Sequence, residues 1–330
     1  MDHITFLKNF PMGTEIDIAG TFIYNGMREF THLQNFCNEN EIFYFLYMIS
    51  SGVERLQKVL IVLLEDINIS NCDAFFDSLI THSHQDLHNR IKQRTNLQFS
   101  SVQNQFLQLL SNFYKTCRYG RYQLTTNYAK ERDLLITFIT TNLHIEITVD
   151  NLFENTQNDN RIKKFIGRVI GTISRKYYCA LMEECRKLNL YTYELRNDSC
   201  AQKIFLSDFH NGELHRQYLD EEIAMKELLI FLINNKESSG FIDFIKAIEP
   251  LDLEIALMQE YIGDLGSGTI SQSLIDEIDS LYIDGDFNAA ERIKLLNLIG
   301  NTNVCFDLEE DEEIDELEQG DFQSELEQSD

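Results

Sequence analysis

Apolar side chains recur every three or four residues along one stretch near the start of the chain, residues 41–66. The inward positions of this pattern are Ile42, Leu46, Ile49, Val53, Leu56, Leu60 and Leu63. Spacing of this kind places a continuous apolar stripe on one side of an α-helix of about seven turns. A helix of that length can cross a small domain, so the pattern predicts an all-helical core organised around this segment.

The same spacing returns along most of the remaining chain. It predicts helices over residues 73–92, 102–117, 130–142 and 161–188, and further helices over residues 221–234, 240–248, 253–262, 271–282 and 287–298. The chain has only two prolines, so the commonest helix breaker is nearly absent. The predicted fold class is therefore mainly α.

A few segments depart from helical spacing. Residues 1–30 alternate only weakly, and we expect an irregular or strand-forming lead. Residues 143–149 alternate apolar and polar side chains as a half-buried strand does, and residues 191–195 with residues 203–209 predict a short β-hairpin. Residues 307–330 hold 13 acidic side chains and no basic one, which predicts a disordered acidic tail.

Composition narrows the class of protein. The hydrophobic content of 43% is ample for a buried core. The seven cysteines form no CxxC pair, which argues against a structural zinc site and a disulfide scaffold. No basic start followed by an apolar run opens the chain, and no apolar stretch is long enough to span a bilayer. We expect a cytoplasmic protein in a reducing compartment, with no membrane partner and no cofactor.

The formal net charge of -26 is distributed unevenly along the chain. Residues 90–187 carry 16 basic and 8 acidic side chains, whereas residues 205–330 carry 6 basic and 32 acidic ones. A basic middle in an acidic chain indicates a polyanionic partner, and the acidic C-terminal third indicates a basic partner or a solubilising function.

Histidines are concentrated in residues 81–91, THSHQDLHNRI. On a helix His84 and His88 lie one turn apart, which is a spacing that a metal ion uses. His84 also belongs to the apolar series of this segment, and no third ligand is near in sequence. A histidine buried in the core or in an interface is therefore favoured over a metal ligand, and we predict no metal site. His82, Asp86 and Arg90 form a separate polar stripe that suits a solvated helix face.

Residues 118–122, RYGRY, combine guanidinium groups with flat rings directly after a predicted helix. Arginine forks bind phosphates and aromatic rings stack on bases, so Arg118, Tyr119, Arg121 and Tyr122 are candidate nucleic-acid contacts. The alternative is that the tyrosines close the end of the bundle while the arginines cap helix carbonyls. On the predicted helix over 161–188, a basic face with Lys164, Arg168 and Arg175 adds to the same positive region.

The order of these pieces resembles the HEPN superfamily of helical bundles over residues 35–147. The helix over 41–66 carries Glu54 and Lys58 one turn apart, as the first helix of that family commonly does. The next element contains His84, Asp86 and Leu87, similar to the family's "HDL"-like start of its second helix, and the third helix runs into the pair Arg118 and Tyr119.

The resemblance implies a four- or five-helix antiparallel bundle that commonly forms a homodimer. Members occur as ribonuclease toxins, abortive-infection and antiphage proteins and RNA-processing enzymes, alongside non-catalytic binding modules. Active members cleave RNA without a metal, using an arginine and a later histidine with four to six residues between them, because histidine transfers protons at neutral pH and arginine stabilises phosphate charge. No arginine in this chain is followed by a histidine at that spacing, so the resemblance leaves catalysis open.

The leading hypothesis is a HEPN-like bacterial defence protein, of abortive-infection or toxin–antitoxin type, that binds RNA or nucleotide. The catalytic candidates for a ribonuclease are His84, His88, Arg90 and Arg118, and the nucleic-acid-binding candidates are Arg118, Tyr119, Arg121, Tyr122, Lys164, Arg168 and Arg175. We divide the chain into a lead (1–34), the HEPN-like bundle (35–150), a basic long helix with the β-hairpin (151–210), an acidic helical region (211–306) and the acidic tail (307–330).

The alternative hypothesis is a non-catalytic regulatory or interaction protein. In that case the acidic C-terminal region masks the basic middle of its own chain or binds a basic partner protein.

Overall fold

The computed structural model describes residues 1–114, 129–149, 155–190, 199–206, 215–236, 240–268, 270–285 and 287–301. The chain divides into two compact units, Met1–Glu221 and Glu222–Asp330. Helices dominate the described part of both units, which confirms the mainly α fold class.

The first unit is built from nine helices within its described residues, with the tenth beginning near its end. They are α1 (His3–Asn9), α2 (Pro11–His32), α3 (Glu39–Leu64), α4 (Cys72–Ser78), α5 (His84–Lys92), α6 (Ser101–Asn112), α7 (Lys130–Leu143), α8 (Asn160–Leu188), α9 (Cys200–Phe205) and α10 (His215–Asn234). The hydrophobic core of this unit contains side chains from each of α2 to α9.

Helix α3 is the central element of the first unit, as its apolar spacing predicts. It begins after Asn38, whose side chain accepts a hydrogen bond from the Asn40 amide, and it packs against α2, α5, α6, α7 and α8. All seven apolar residues of the predicted stripe are buried. The prediction of a helical core organised around this segment is confirmed.

Helix α8 is the second long element, and its bounds agree with the predicted helix over 161–188. Asp159 caps its start by accepting a hydrogen bond from the Ile162 amide. The residues expected to face inward are all buried, namely Ile162, Ile166, Val169, Ile173, Tyr177 and Leu181. Its packing against α3 and α6 fixes which of its side chains face solvent.

The prediction of an irregular or strand-forming lead is wrong, because residues 1–34 are almost entirely helical. Pro11 stands at the start of α2, where its missing amide hydrogen costs nothing. Buried side chains recur along α2 at helical spacing from Ile16 to Phe30, but glycines interrupt the series in the sequence. Gly20 lies against Ala201 of α9, and Gly52 of α3 lies against Ile23 of α2, so these glycines permit close helix packing.

The predicted single helix over 73–92 is interrupted and forms two helices, α4 and α5. Ser83 is the physical reason, since its side chain accepts a hydrogen bond from the Asp86 amide and starts α5 as an N-cap. The interruption places His82 in the connection between the two helices, instead of on a solvated helix face.

The strand predictions fail within the described residues, where no β-strand occurs and the one β-bridge joins Asn35 to Gln157. Residues 145–149 do alternate between half-buried and exposed side chains, but Thr148 is hydrogen-bonded to Thr156 and not to a neighbouring strand. Lys203 and Phe205 lie in α9, which Ser199 caps, so this part of the predicted hairpin is helical. Residues 191–198 and 207–209 are outside the described residues.

The second unit is described only through residue 301. After the end of α10 it contains α11 (Gly240–Ala247), a short 3-10 helix (Ile255–Leu257), α12 (Met258–Ser267), α13 (Gln272–Asp284) and α14 (Ala289–Leu296). The predicted disorder of the tail, residues 307–330, falls outside the described part and stays a prediction. Within the described residues, no helix combines the length and apolarity that a bilayer crossing requires.

Candidate functional site

A groove of about 810 Å³ lies between the chain that leaves α5 and the second half of α8. Its lining includes five cationic side chains, Lys92, Arg94, Arg175, Lys176 and Lys187, and only two carboxylates, Glu183 and Glu184. We call this feature the basic groove. It is positively charged although the whole chain carries a net charge of -26.

Local structure presents these cations on the two sides of the basic groove. Lys92 belongs to the last turn of α5, where positive charge is favourable for the helix dipole. Arg94 follows in a turn in which its amide donates to the Ile91 carbonyl. On the other side, Arg175 lies on an exposed face of α8.

The groove cations differ in how far their charges are neutralised. Lys187 Nζ lies 3.1 Å from Glu183 Oε1 and 3.3 Å from Glu184 Oε2, so both carboxylates contact this one lysine. Lys176 donates to neutral acceptors, the Gln98 carbonyl at 2.8 Å and Gln103 Oε1 at 3.0 Å, and burial lowers the pKa of its ammonium group. Arg175 forms no ion pair with a carboxylate of the described residues, and Arg94 contacts none directly but helps to lower the pKa of Glu65 through its charge.

Only some of the predicted nucleic-acid-binding residues lie near one another in the structure. Arg175 lines the basic groove, while Lys164 and Arg168 lie on preceding turns of α8 and do not line it. Arg168 is exposed and stands seven residues before Arg175, so the two arginines share one face about 10 Å apart along the axis. Arg118, Tyr119, Arg121 and Tyr122 lie outside the described residues, so their contact with nucleic acid stays a prediction.

The histidines of α5 lie in the core, within a chain of buried polar groups. Gln57 Oε1 lies 3.0 Å from His84 Nδ1, and Ser50 Oγ lies 2.8 Å from His84 Nε2. Gln57 Nε2 donates to Tyr177 Oη at 2.8 Å, and Tyr177 Oη lies 2.8 Å from His88 Nδ1. Because the Gln57 oxygen accepts only, His84 carries its proton on Nδ1 and accepts from Ser50.

Burial lowers the pKa of both His84 and His88 to about 4, so both rings are neutral at physiological pH. The two rings are 0% and 2% exposed, which keeps a phosphodiester from reaching them. This placement favours the core-histidine alternative over a metal ligand or a catalytic acid.

Arg90, the remaining described catalytic candidate, holds neighbouring elements together. Its guanidinium forms two hydrogen bonds to Glu65, at 2.7 and 2.8 Å, and a third to Ser78 Oγ at 2.9 Å. The same group lies over the ring of Phe75 at 5.3 Å. Glu65 raises the pKa of Arg90 by hydrogen bonding, which is the signature of a structural ion pair.

A second concave feature, which we call the Glu54 cleft, lies along another face of α3 and has a volume of about 460 Å³. Glu54 Oε1 accepts from Lys58 Nζ at 2.7 Å, and Glu54 Oε2 lies 3.0 Å from His82 Nδ1. The His82 ring stacks on Tyr114 with 3.9 Å between ring centroids. The cleft therefore gathers a carboxylate, an ammonium group and an imidazole at one place.

The sequence pattern predicts a solvated helix face for His82, and the contact of His82 with Glu54 is not visible in it. The two residues are 28 positions apart, and periodicity within one helix carries no information about such a pair. The usable signal was Ser83, a strong N-cap residue followed three positions later by Asp86. It would have moved the start of the helix beyond His82.

No cluster of three or more histidine, cysteine, aspartate or glutamate side chains suited to a metal ion occurs in the part of the chain that the structure describes. Comparisons of the whole chain with protein-family models, with curated proteins and with solved structures found no match.

Proposed function

We propose that this protein binds single-stranded RNA through the basic groove, as a HEPN-like protein of bacterial defence systems. The observation that carries the proposal is the local excess of cations, including Arg94 and Arg175, in a chain with strongly negative net charge. Lys and Arg side chains that neutralise phosphates supply most of the sequence-independent affinity for nucleic acid.

The form of the groove favours a single strand. A duplex is recognised across a broad surface that meets two successive minor grooves, whereas a strand fits a channel with cations on both sides. Arginine adds a planar fork that can hold two phosphate oxygens at once. The exposed Arg168 extends the positive face along α8 beyond the groove, in the direction that a longer strand would take.

The HEPN part of the proposal is supported by local features of the resemblance. Glu54 and Lys58, the glutamate and lysine that resemble the first-helix motif of the family, lie one turn apart on α3 and form an ion pair. The helices α3, α5, α6 and α7 pack on one another as a bundle of that kind requires. The defence function and a homodimer follow from the family and are part of the same proposal.

The proposal concerns binding and not cleavage by the predicted residues. His84 and His88 are buried and neutral, and Arg90 is held by Glu65. A ribonuclease of this chain would have to use other groups.

Fluorescence anisotropy with a labelled single-stranded oligoribonucleotide tests the proposal. We expect Arg175→Gln to weaken binding about tenfold, because one desolvated arginine–phosphate contact contributes roughly 1–2 kcal/mol. Arg186→Gln is the matched control, since Arg186 is exposed near the end of the same helix and does not line the groove. Equal affinities of the two variants for the oligonucleotide would contradict binding at the basic groove. Tighter binding of a duplex than of a single strand would contradict the preference for single-stranded RNA.

A second function is favoured by the charge of the C-terminal region, with 32 acidic and 6 basic side chains in residues 205–330. We propose that this region binds a basic partner protein by charge complementarity. Pull-down with a defined basic protein at increasing salt tests it, and binding that does not depend on salt would oppose it.

A further inference from the structure

The Glu54 cleft has aromatic walls and a polar end, which is a different chemistry from that of the basic groove. Four rings from separate parts of the first unit line it, those of Phe22, Tyr47, Phe76 and Tyr114. His82 stacks on Tyr114 and adds a fifth flat group. Its volume of about 460 Å³ is in the range of small-molecule sites.

The charged side chains of this cleft are paired with one another. Arg55 forms an ion pair with Glu15, and its guanidinium lies 5.7 Å from the centroid of the Phe22 ring. Lys58 forms an ion pair with Glu54 at 2.7 Å. The cleft thus holds two carboxylates against two permanent cations, so it has no excess of positive charge for a phosphate chain.

The polar end offers donors and an acceptor side by side. The Glu54 carboxylate is an acceptor, so the hydrogen on His82 Nδ1 points to Glu54. Lys58 has three N–H donors, of which the bond to Glu54 uses one. An edge that carries one donor and one acceptor can therefore pair with Glu54 and Lys58 together.

The aromatic side chains of the cleft, together with the Lys58 donor and the Glu54 acceptor, indicate which class of ligand would bind. Aromatic side chains bind planar rings by stacking, at about 1–3 kcal/mol for each base. Buried polar groups then select rings whose edge satisfies them. Because the charges of the cleft are balanced, a net charge on the ligand would add little to its affinity.

We propose that the Glu54 cleft binds an uncharged planar heteroaromatic ring with adjacent donor and acceptor groups, the class to which nucleobases belong. The ring packs against the aromatic wall that contains Tyr47, and its edge forms hydrogen bonds with Glu54 and Lys58. Such a ring has two sources, a free nucleoside or a base of an RNA strand. The proposal does not depend on the basic groove, because no residue lines both features.

Isothermal titration of the full chain with adenosine, guanosine, cytidine and uridine is the first arm of the test. We expect at least one nucleoside to bind, and Tyr47→Leu to weaken that binding about tenfold or more. The control is Tyr44→Leu on the same helix, because Tyr44 is exposed and does not line the cleft. Glu54→Gln, which replaces an acceptor by a mixed donor and acceptor, should change which nucleoside binds best.

The second arm uses a single-stranded oligoribonucleotide and distinguishes the sources. Weakened oligonucleotide binding by Tyr47→Leu, with no nucleoside binding to the native chain, assigns the ring to an RNA strand. Far-ultraviolet circular dichroism and the unfolding midpoint establish that each variant is folded. If no nucleoside binds and Tyr47→Leu equals Tyr44→Leu toward the oligonucleotide, or if nucleoside binding is unchanged in both Tyr47→Leu and Glu54→Gln, the proposal is overturned.

Discussion

The side chains of Gln57 on α3 and Tyr177 on α8 are 120 residues apart in sequence and are joined in the core by a 2.8 Å hydrogen bond. Tyr177 is fully buried, and its hydroxyl also contacts His88 Nδ1. The bond joins the two longest helices of the first unit directly, and His88 of α5 contacts the same hydroxyl, so these bonds fix the helix register more specifically than apolar contacts do.

We expect Tyr177→Phe to lower the free energy of unfolding by about 2–4 kcal/mol. The substitution keeps the ring but leaves His88 Nδ1 without this partner and one of the two Gln57 Nε2 hydrogens without an acceptor, while the other still donates to the His84 carbonyl. A buried polar group that loses its partner costs roughly 1–3 kcal/mol. Urea unfolding measures this difference, provided that the dependence of the unfolding free energy on urea concentration is the same for both proteins. Tyr44→Phe at an exposed position is the control, with an expected change within about 0.5 kcal/mol. Equal midpoints for the two variants would contradict the buried network.

Acidification should destabilise the first unit before the carboxylates begin to titrate. His84 and His88 have pKa values of about 4 in the folded protein against an ordinary value of 6.5, so the unfolded chain binds more protons between these values. Stability contributed by the neutral rings is complete above pH 6.5 and is lost as the pH falls toward 4. Urea midpoints measured from about pH 7 down to about pH 5 should decrease steadily.

The matched variant for this pH dependence is His88→Gln, which removes one of the two titrating groups. Its midpoints should fall less steeply with acidification than those of the native chain, even if it is less stable at neutral pH. A native chain whose stability is constant between these pH values would contradict the placement of both rings in the core.

Gly20→Ala should destabilise the first unit by about 1–3 kcal/mol, because the added methyl group would collide with the backbone of Ala201 in α9. Gly263→Ala is the contrasting change, since nothing lies within 4 Å of the new Cβ and the residue is inside α12. Alanine favours a helix over glycine by roughly 0.8–1.0 kcal/mol, so this variant should be slightly more stable. Thermal unfolding of both variants tests the predicted opposite signs.

Removal of residues 307–330 should strengthen binding of RNA at low salt. The segment carries 13 acidic side chains, and its loss reduces the repulsion between a negatively charged protein and a polyanion. The difference from the full chain should shrink as salt is added, because screening shortens the range of the repulsion. Equal affinities at low salt would contradict this prediction.

The two long helices were predictable because one face of each is apolar without interruption. In α3 and α8 every residue expected to face inward is buried, and both helix bounds agree within two residues. Periodicity alone suffices for such elements. The same pattern also predicted the burial of His84 and of Leu87, since both belong to the apolar series of α5.

The parts that sequence reasoning missed depend on single residues or on tertiary contacts. Helix α2 was missed because its glycines, which serve close packing with α3 and α9, appear in the sequence as breaks. Helix α9 has only six residues, too few for a periodic signal, and its cap at Ser199 is the local cause of its start. The contact of His82 with Glu54 required the break before α5, which one serine creates.

The salt dependence of RNA binding tests the central claim, that the basic groove binds a single strand, most directly. The native chain is compared with Lys92→Gln/Arg175→Gln, which removes cations from both sides of the groove. The control is Lys130→Gln/Arg186→Gln, which has the same net charge and changes two exposed residues elsewhere. For single strands the slope of log affinity against log salt is about 0.7 for each phosphate neutralised.

We predict that the groove variant lowers the magnitude of this slope by about 1 or more and loses at least about tenfold in affinity at low salt, while the control keeps the native slope. Slopes and affinities that are the same for the groove variant and its control would contradict the account.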